Sequence, residues 1–385
     1  MDFSFLTPVQ DRLVEQLELQ HSQVIGQSLR IHTATVEPDL KGVKMAIVGV
    51  LESRNSVDYI GQDFQLSEIR KAFYKLFPGN WTHNIADLGD IQKGETVEDT
   101  YFALIQVLSN LIKDNIIPII IGGSQDLTYA NYRAYDKISS MINIVNVDKS
   151  FDLGDSSKPI TNESYLGKII LEQPYNLFNY TALGFQTYFN SQEEIDLMEK
   201  LYFESFRLGS IIPNISVVEP VLRDADLVTL DINSVKSSEV SPKQKYSPNG
   251  FTGREICAIS RYAGISNKVS SFGVYEYNPS MDDEATAMLV AQVLWYFIEG
   301  VNCRVKDDDF KDLNSYLKFT VLVESEELVF FKSKKTERWW IEIPFLEYSN
   351  TKSKQHPLLA CTYEDYVSAT SGIIPERWYK AYKKN

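Results

Sequence analysis

Three short apolar runs in this chain each end abruptly in polar side chains, and that repeated ending limits the folds open to it. Residues 142–147 read Ile-Asn-Ile-Val-Asn-Val and lead into Asp148-Lys149-Ser150-Phe151-Asp152. Residues 116–121 lead into Gly122-Gly123-Ser124-Gln125-Asp126, and residues 227–230 lead into Asp231-Ile232-Asn233. Apolar runs of this length, rich in β-branched residues, suit strands buried on both faces, as in a parallel sheet. Side chains two apart on a strand face the same way, so Asp148, Ser150 and Asp152 converge if the strand persists that far. Open α/β sheets bind ligands beyond the carboxyl ends of their strands. The three endings are therefore expected to build one shared site.

The stretches around them alternate in character. Residues 43–51 form another buried strand, and 85–88, 182–185 and 271–277 are shorter candidates. Leu66, Ile69, Phe73 and Leu76 fall at helical spacing before Pro78-Gly79. Thr96 with Asp99, and Ser191 with Glu194, have the spacing of capping boxes and open helices. Residues 254–263 and the strongly apolar 284–299 are further helices, whereas 237–253 is a loop. Residues 1–42 give only a loose amphipathic pattern through Leu13, Leu17 and Val24. Strands alternating with helices from about 43 to 300 predict a three-layer α/β/α fold with a mainly parallel sheet.

The pattern changes after Gly300. Residues 306–312 are charged and linker-like, and 317–323, 327–332 and 338–343 read as short strands. Phe319, Val321 and Val323 alternate as an antiparallel meander requires. Residues 363–370 and 375–382 are candidate terminal helices, and Trp339-Trp340 is expected to pack within the small sheet. The expected division is a body over 1–300 and a β-rich extension over 301–385, packed on the body because its strands cannot form a large core alone.

Composition excludes several functions. A net charge of -14 argues against non-specific binding to nucleic acid or an anionic membrane. The longest central apolar run is too short to span a bilayer. Three widely spaced cysteines, Cys257, Cys303 and Cys361, fit a reducing compartment better than a disulfide framework. The first twenty residues carry acids and no basic region ahead of an apolar stretch, so the expectation is a soluble cytoplasmic protein. Gly122-Gly123 lacks the basic residue and helix-start fingerprint of a phosphate cradle.

Taken together, the motifs resemble the ureohydrolase superfamily of arginase, agmatinase and formiminoglutamase. The Gly-Gly-x-His, Asp-Ala-His-x-Asp and Ser/Thr-x-Asp-x-Asp segments of that family match Gly122–Gln125, Asp148–Asp152 and 229–233, in order. Residues 86–90 (Ala-Asp-Leu-Gly-Asp) and 274–279 (Val-Tyr-Glu-Tyr-Asn-Pro), followed by Asp282 and Thr286-Ala287, support the match. The resemblance implies an arginase-like fold, and a site in which two His and four Asp hold two Mn²⁺ ions bridged by hydroxide. It carries three metal ligands over to this chain: Asp148, Asp152 and Asp231. At the other three positions Gln125, Ser150 and Asn233 stand for His, His and Asp. Glu276 matches the glutamate that binds the guanidinium group, or it is a strand-end carboxylate bonded to a neighbouring loop. Relatives commonly form homo-oligomers.

The departures differ in consequence. Gln125, Asp148, Asp152 and Asp231 can still hold one hard cation, Mg²⁺, Mn²⁺ or Ca²⁺. The second position has lost its imidazole and one carboxylate, so no Mn²⁺ pair is expected. Lys149 either brings an ammonium to the carboxylates or, as strand alternation favours, points away. None of the four histidines, His21, His32, His83 and His356, lies in a matching motif. Residues 162–165 (Asn-Glu-Ser-Tyr) stand where some relatives offer a proton-transferring His. Two readings follow. One is a fold retained for binding or scaffolding, with a small molecule or protein as partner and the hydrolase chemistry lost. The other is a one-metal C–N hydrolase of amidine or formimino substrates.

Overall fold

In the computed structural model, the described residues are 2–57, 65–138, 141–155, 157–240, 247–279, 284–307, 313–344 and 358–384. Nine strands form the body sheet: β1 (Arg30–Ile31), β2 (Val43–Val50), β3 (Asn84–Ile91), β4 (Ile117–Gly122), β5 (Ile142–Val147), β6 (Leu177–Phe185), β7 (Glu204–Arg207), β8 (Leu227–Asp231) and β9 (Ser271–Tyr275). Their order is β1-β3-β2-β4-β9-β8-β5-β6-β7, and every pairing is parallel.

Alternation along the central strands divides the core into two layers. Ile119, Ile121, Val145, Val147, Val228 and Leu230 pack on one face with helices Gly253–Ile265 and Ala285–Asn302. Ile120, Ile144 and Leu227 pack on the other with helices Val97–Lys113 and Tyr165–Leu171. The capping boxes at Thr96/Asp99 and Ser191/Glu194 are both formed. Expected strand and helix positions in the body match within a few residues. The short edge strands β1 and β7, and the helices Leu127–Arg133 and Tyr165–Leu171, were not legible as elements. Residues 241–246 of the expected loop and 308–312 of the expected linker lie outside the described residues, as do Asp282 and His356.

The tail forms its own antiparallel sheet of β10 (Tyr316–Val323), β11 (Glu326–Ser333), β12 (Trp339–Glu342) and β13 (Leu358–Cys361), in that order. One face carries Phe330, Trp339 and Ile341 against the last two helices, Tyr363–Thr370 and Glu376–Lys384. At the β12–β13 side of the sheet the tail meets the body through Arg223. Its guanidinium lies 4.6 Å from the Trp340 ring centroid and donates to the carbonyls of Trp339 (3.0 Å) and Cys361 (3.5 Å). Ala360 N donates to Asp224 Oδ2 at 3.2 Å, and Lys380 Nζ donates to the Phe203 carbonyl at 3.3 Å. Among the described residues no helix is long and apolar enough to cross a membrane.

Candidate functional site

Sheet order places the expected residues side by side. β4, β9, β8 and β5 are consecutive, with Ile121 beside Val274, Asp231 beside Tyr275, and Val147 beside Leu230. Their carboxyl ends deliver Gln125, Glu276, Asp231 and Asp148 to one edge of the sheet. All four residues are buried, as are Asp152 and Asn233.

Local chain geometry fixes each group. Gly122 follows from close approach: a Cβ there would lie 2.5 Å from the Tyr275 ring. The β4 and β9 ends are tied in both directions, Glu276 N to the Gly123 carbonyl and Gln125 N to Glu276 Oε1, each at 2.7 Å. Asp231 Oδ1 accepts from Asn233 N at 2.6 Å as the chain turns. Asp148 Oδ1 accepts from the backbone N–H groups of Lys149 (2.5 Å) and Ser150 (3.2 Å).

The strand does not persist to Asp152. β5 ends at Val147, and Asp152 has φ 55°. A turn, not strand alternation, returns its carboxyl to Asp148. Ser150 Oγ then donates to Asp152 Oδ1 at 2.8 Å. Asp148 Oδ2 and Asp152 Oδ2 are buried and have no hydrogen-bond partner. Burial, then the charge of Asp148, hold the Asp152 carboxyl well above the usual carboxylate range, and Asp231 adds to the shift. Asp152 thus lies in a poorly solvated space within reach of the Asp148 and Asp231 charges, where repulsion and desolvation both favour its protonated form.

Lys149 does not join them. Its Nζ lies 5.3 Å from the Phe189 ring centroid, although β5 has ended before it and alternation is not what turns it away. Glu276 also has positive φ, 65°. Left-handed backbone at a non-glycine residue is strained and clusters at functional positions.

Behind the aspartates lies a polar wall that sequence reasoning missed. Gln125 Nε2 donates to Asn146 Oδ1 (3.0 Å) and to the Tyr165 hydroxyl (3.2 Å), and Asn146 Nδ2 donates to the Tyr180 hydroxyl (2.9 Å). Burial raises both phenols well above their ordinary range, and the charges of Asp148 and Asp152 raise them further. The available signal was Asn146, a polar residue two before Asp148 on the same strand face. A second cluster joins Asn55 Nδ2 to Tyr101 Oη (2.9 Å) and to Asp126 Oδ2 (3.2 Å), with the Tyr101 hydroxyl also donating to Asp126 Oδ2.

Residues 86–90 prove structural. Arg70 clasps Asp87 from Nε (2.9 Å) and Nη2 (3.1 Å), and Asp90 from Nη1 (2.7 Å). They sit on β3, separated from β4 by β2. The described histidines also lie elsewhere: His32 bonds the Leu88 carbonyl, His21 stacks edge-on with Phe77, and His83 N bonds Asn302.

The arginase family model matches residues 43–299, the span that contains β2 to β9 and every one of these strand ends. The chain belongs to the arginase family. Among its arginase-family relatives, the formimidoylglutamase of Staphylococcus epidermidis is 27% identical over 239 residues, covering 59% of this chain and 75% of the relative. That of Staphylococcus aureus is 25% identical over 242 residues, covering 60% and 77%. Solved structures agree on the fold. Bacillus subtilis formimidoylglutamase superposes with TM-score 0.65 at 19% identity, covering 74% of this chain and 95% of that one. Trypanosoma cruzi formiminoglutamase with Mn²⁺ gives 0.61 at 18%, covering 69% and 96%. The arginase family match stops at residue 299, ahead of the whole tail sheet.

Proposed function

We propose that this arginase-family chain uses its strand-end pocket for binding, with at most one hard divalent cation in it, and does not carry out two-metal hydrolysis. The observation that carries the reading is the pair of buried, partnerless oxygens, Asp148 Oδ2 and Asp152 Oδ2. The other oxygen of each carboxylate is already bonded locally. One hard cation, Mg²⁺, Mn²⁺ or Ca²⁺, satisfies both orphans, and Asp231 and the Gln125 amide oxygen are the remaining donors of that set. Such an ion would neutralise the crowded carboxylates.

A second cation lacks comparable support. Ser150 donates its hydroxyl proton to Asp152, and the described histidines lie elsewhere. Two-metal hydrolysis depends on a water held and acidified between both ions. The tail, over 301–385, is the part of the chain added to the family fold, and we assign it to the binding or scaffolding role.

Two observations favour the alternative, a one-metal hydrolase of the formiminoglutamase or agmatinase type. Asp152 and Glu276 both keep strained backbone at the site, and several relatives are formimidoylglutamases. Against it, Glu276 Oε1 is engaged by Gln125 N.

Metal content and turnover decide between the readings. Protein purified without chelator, soaked in Mn²⁺ and desalted, is expected to hold at most one metal per chain. It is expected to hydrolyse none of formiminoglutamate, agmatine or arginine. Turnover in the ordinary range of about 1–10³ s⁻¹, abolished by Asp231→Ala, overturns the proposal.

A further inference from the structure

β10 is an outer strand of the tail sheet, eight residues long. It pairs with β11 from Tyr316↔Ser333 to Val323↔Glu326, around the two-residue turn of Glu324 and Ser325. In an antiparallel ladder alternate residues turn their N–H and C=O groups away from the partner strand. The pair that closes a two-residue hairpin points inward. The outward groups here are therefore those of Lys318, Thr320 and Leu322. Among the described residues none bonds them.

Soluble proteins protect long edges with charge, proline, bulges or a covering element. β10 has one charged residue, Lys318, and no proline. Its register is unbroken over the full length, and Leu322 is 72% exposed.

The hairpin is also electrically polarised. Glu324, Glu326 and Glu327 sit at its tip, whereas Lys318, Lys332, Lys334 and Lys335 sit toward its base. An antiparallel copy of the same strand reverses that polarity. With a two-fold axis at Val321, Lys318 falls opposite Glu324 of the second copy, and Thr320 opposite its Leu322. Thr320 and Leu322 are outward-facing strand positions and Glu324 is the turn residue that follows β10, so one register serves both the backbone pairing and the Lys318–Glu324 charge pairing.

We propose that two copies of this chain associate through β10, joining their tail sheets into one continuous antiparallel sheet. A second copy is the occupant because the edge is complementary to itself in hydrogen bonding, in apolar character and in charge.

Sedimentation velocity of the full chain over a concentration series tests this. A monomer–dimer equilibrium that weakens with added salt is expected. Lys318→Glu and Glu324→Lys should each raise the dissociation constant by about tenfold or more, since each places like charges opposite one another twice per dimer. The double variant Lys318→Glu/Glu324→Lys restores opposite charges and should return to near the parental value. Thr320→Pro removes an outward N–H and should abolish the dimer, with circular dichroism and melting temperature unchanged. A parent chain that stays monomeric up to about 100 μM, where contacts of this size still register, overturns the proposal. So does a dimer indifferent to both charge reversals.

Discussion

Replacing Asp152 with asparagine should stabilise this protein when metal is chelated, by an amount the site geometry sets. The new side chain keeps an oxygen to accept from Ser150 Oγ, which lies 2.8 Å from the present Oδ1. Its amide nitrogen takes the place of one partnerless oxygen and faces another, Asp148 Oδ2. A hydrogen bond to a charged acceptor contributes roughly 1.5–3 kcal/mol. Asparagine also tolerates the left-handed backbone found at φ 55°. The repulsion from Asp148 and Asp231 disappears as well. A gain of about 2–3 kcal/mol is expected, or roughly 3 °C in Tm for a chain this long.

Urea denaturation in EDTA at pH 8 measures that gain, and pH supplies a control. Asp152 is held above its ordinary range, so the native wild type binds a proton that the unfolded chain has already released. That proton's contribution is complete below the unfolded value, near pH 4, and is lost as pH rises through the folded value. The variant lacks this dependence, so its advantage should be largest at pH 8 and shrink on acidification. Added Mg²⁺ or Mn²⁺ should stabilise the wild type alone, because the variant loses a ligand. A variant less stable than wild type in EDTA at pH 8 would refute the argument.

Other perturbations address neighbouring claims. The triple variant Gln125→His/Ser150→His/Asn233→Asp should retain close to two Mn²⁺ per chain after desalting; equal retention by the parent would show the three substitutions to be harmless. Arg223→Ala removes a cation–π contact and carbonyl bonds at the tail interface. It should cost about 3 kcal/mol and expose the tail to protease, with Arg223→Lys intermediate because it keeps charge without the planar fork. A stable 1–300 fragment released from the parent, with its melting temperature unchanged, would argue against a docked tail. Arg70→Leu strands Asp87 and Asp90 and should cost about 3–5 kcal/mol in thermal or urea unfolding.

The parallel sheet was legible because strands buried on both faces are mostly apolar along their length, as 43–51, 116–121, 142–147 and 227–230 are, Asn143 and Asn146 notwithstanding. Capping boxes at Thr96 and Ser191 were equally legible, since the oxygens that satisfy a helix start lie within four residues of each other. The convergence of Asp148, Asp152 and Asp231 was legible as a grouping, although a turn rather than strand alternation achieves it. What escaped was partnership between distant segments. Nothing local to Gln125 announces Tyr165, and nothing near Asp87 marks Arg70 as its buried counterion. The two edge strands β1 and β7 escaped for another reason. With two and four residues they are too short to carry a periodicity.

The position of β9 governs how such a chain comes into being. It is the last body strand to be synthesised, yet it lies between β4 and β8 in the middle of the sheet. A nascent chain that ends before Ser271 has β4 with its apolar residues Ile119 to Ile121 open along one flank, and β8 likewise. Inner edges of this kind are templates for pairing with other chains, and parallel closure over long sequence separation is slow. Until β9 is made, this order leaves two half-sheets, β1-β3-β2-β4 and β8-β5-β6-β7, without the strand that joins them. When β9 slots in, it brings Glu276 to Gln125 and joins them to Asp231 and Asp148, which the β8–β5 pairing already holds side by side. The pocket and the continuous sheet are born in one step, and a fragment lacking that strand has neither.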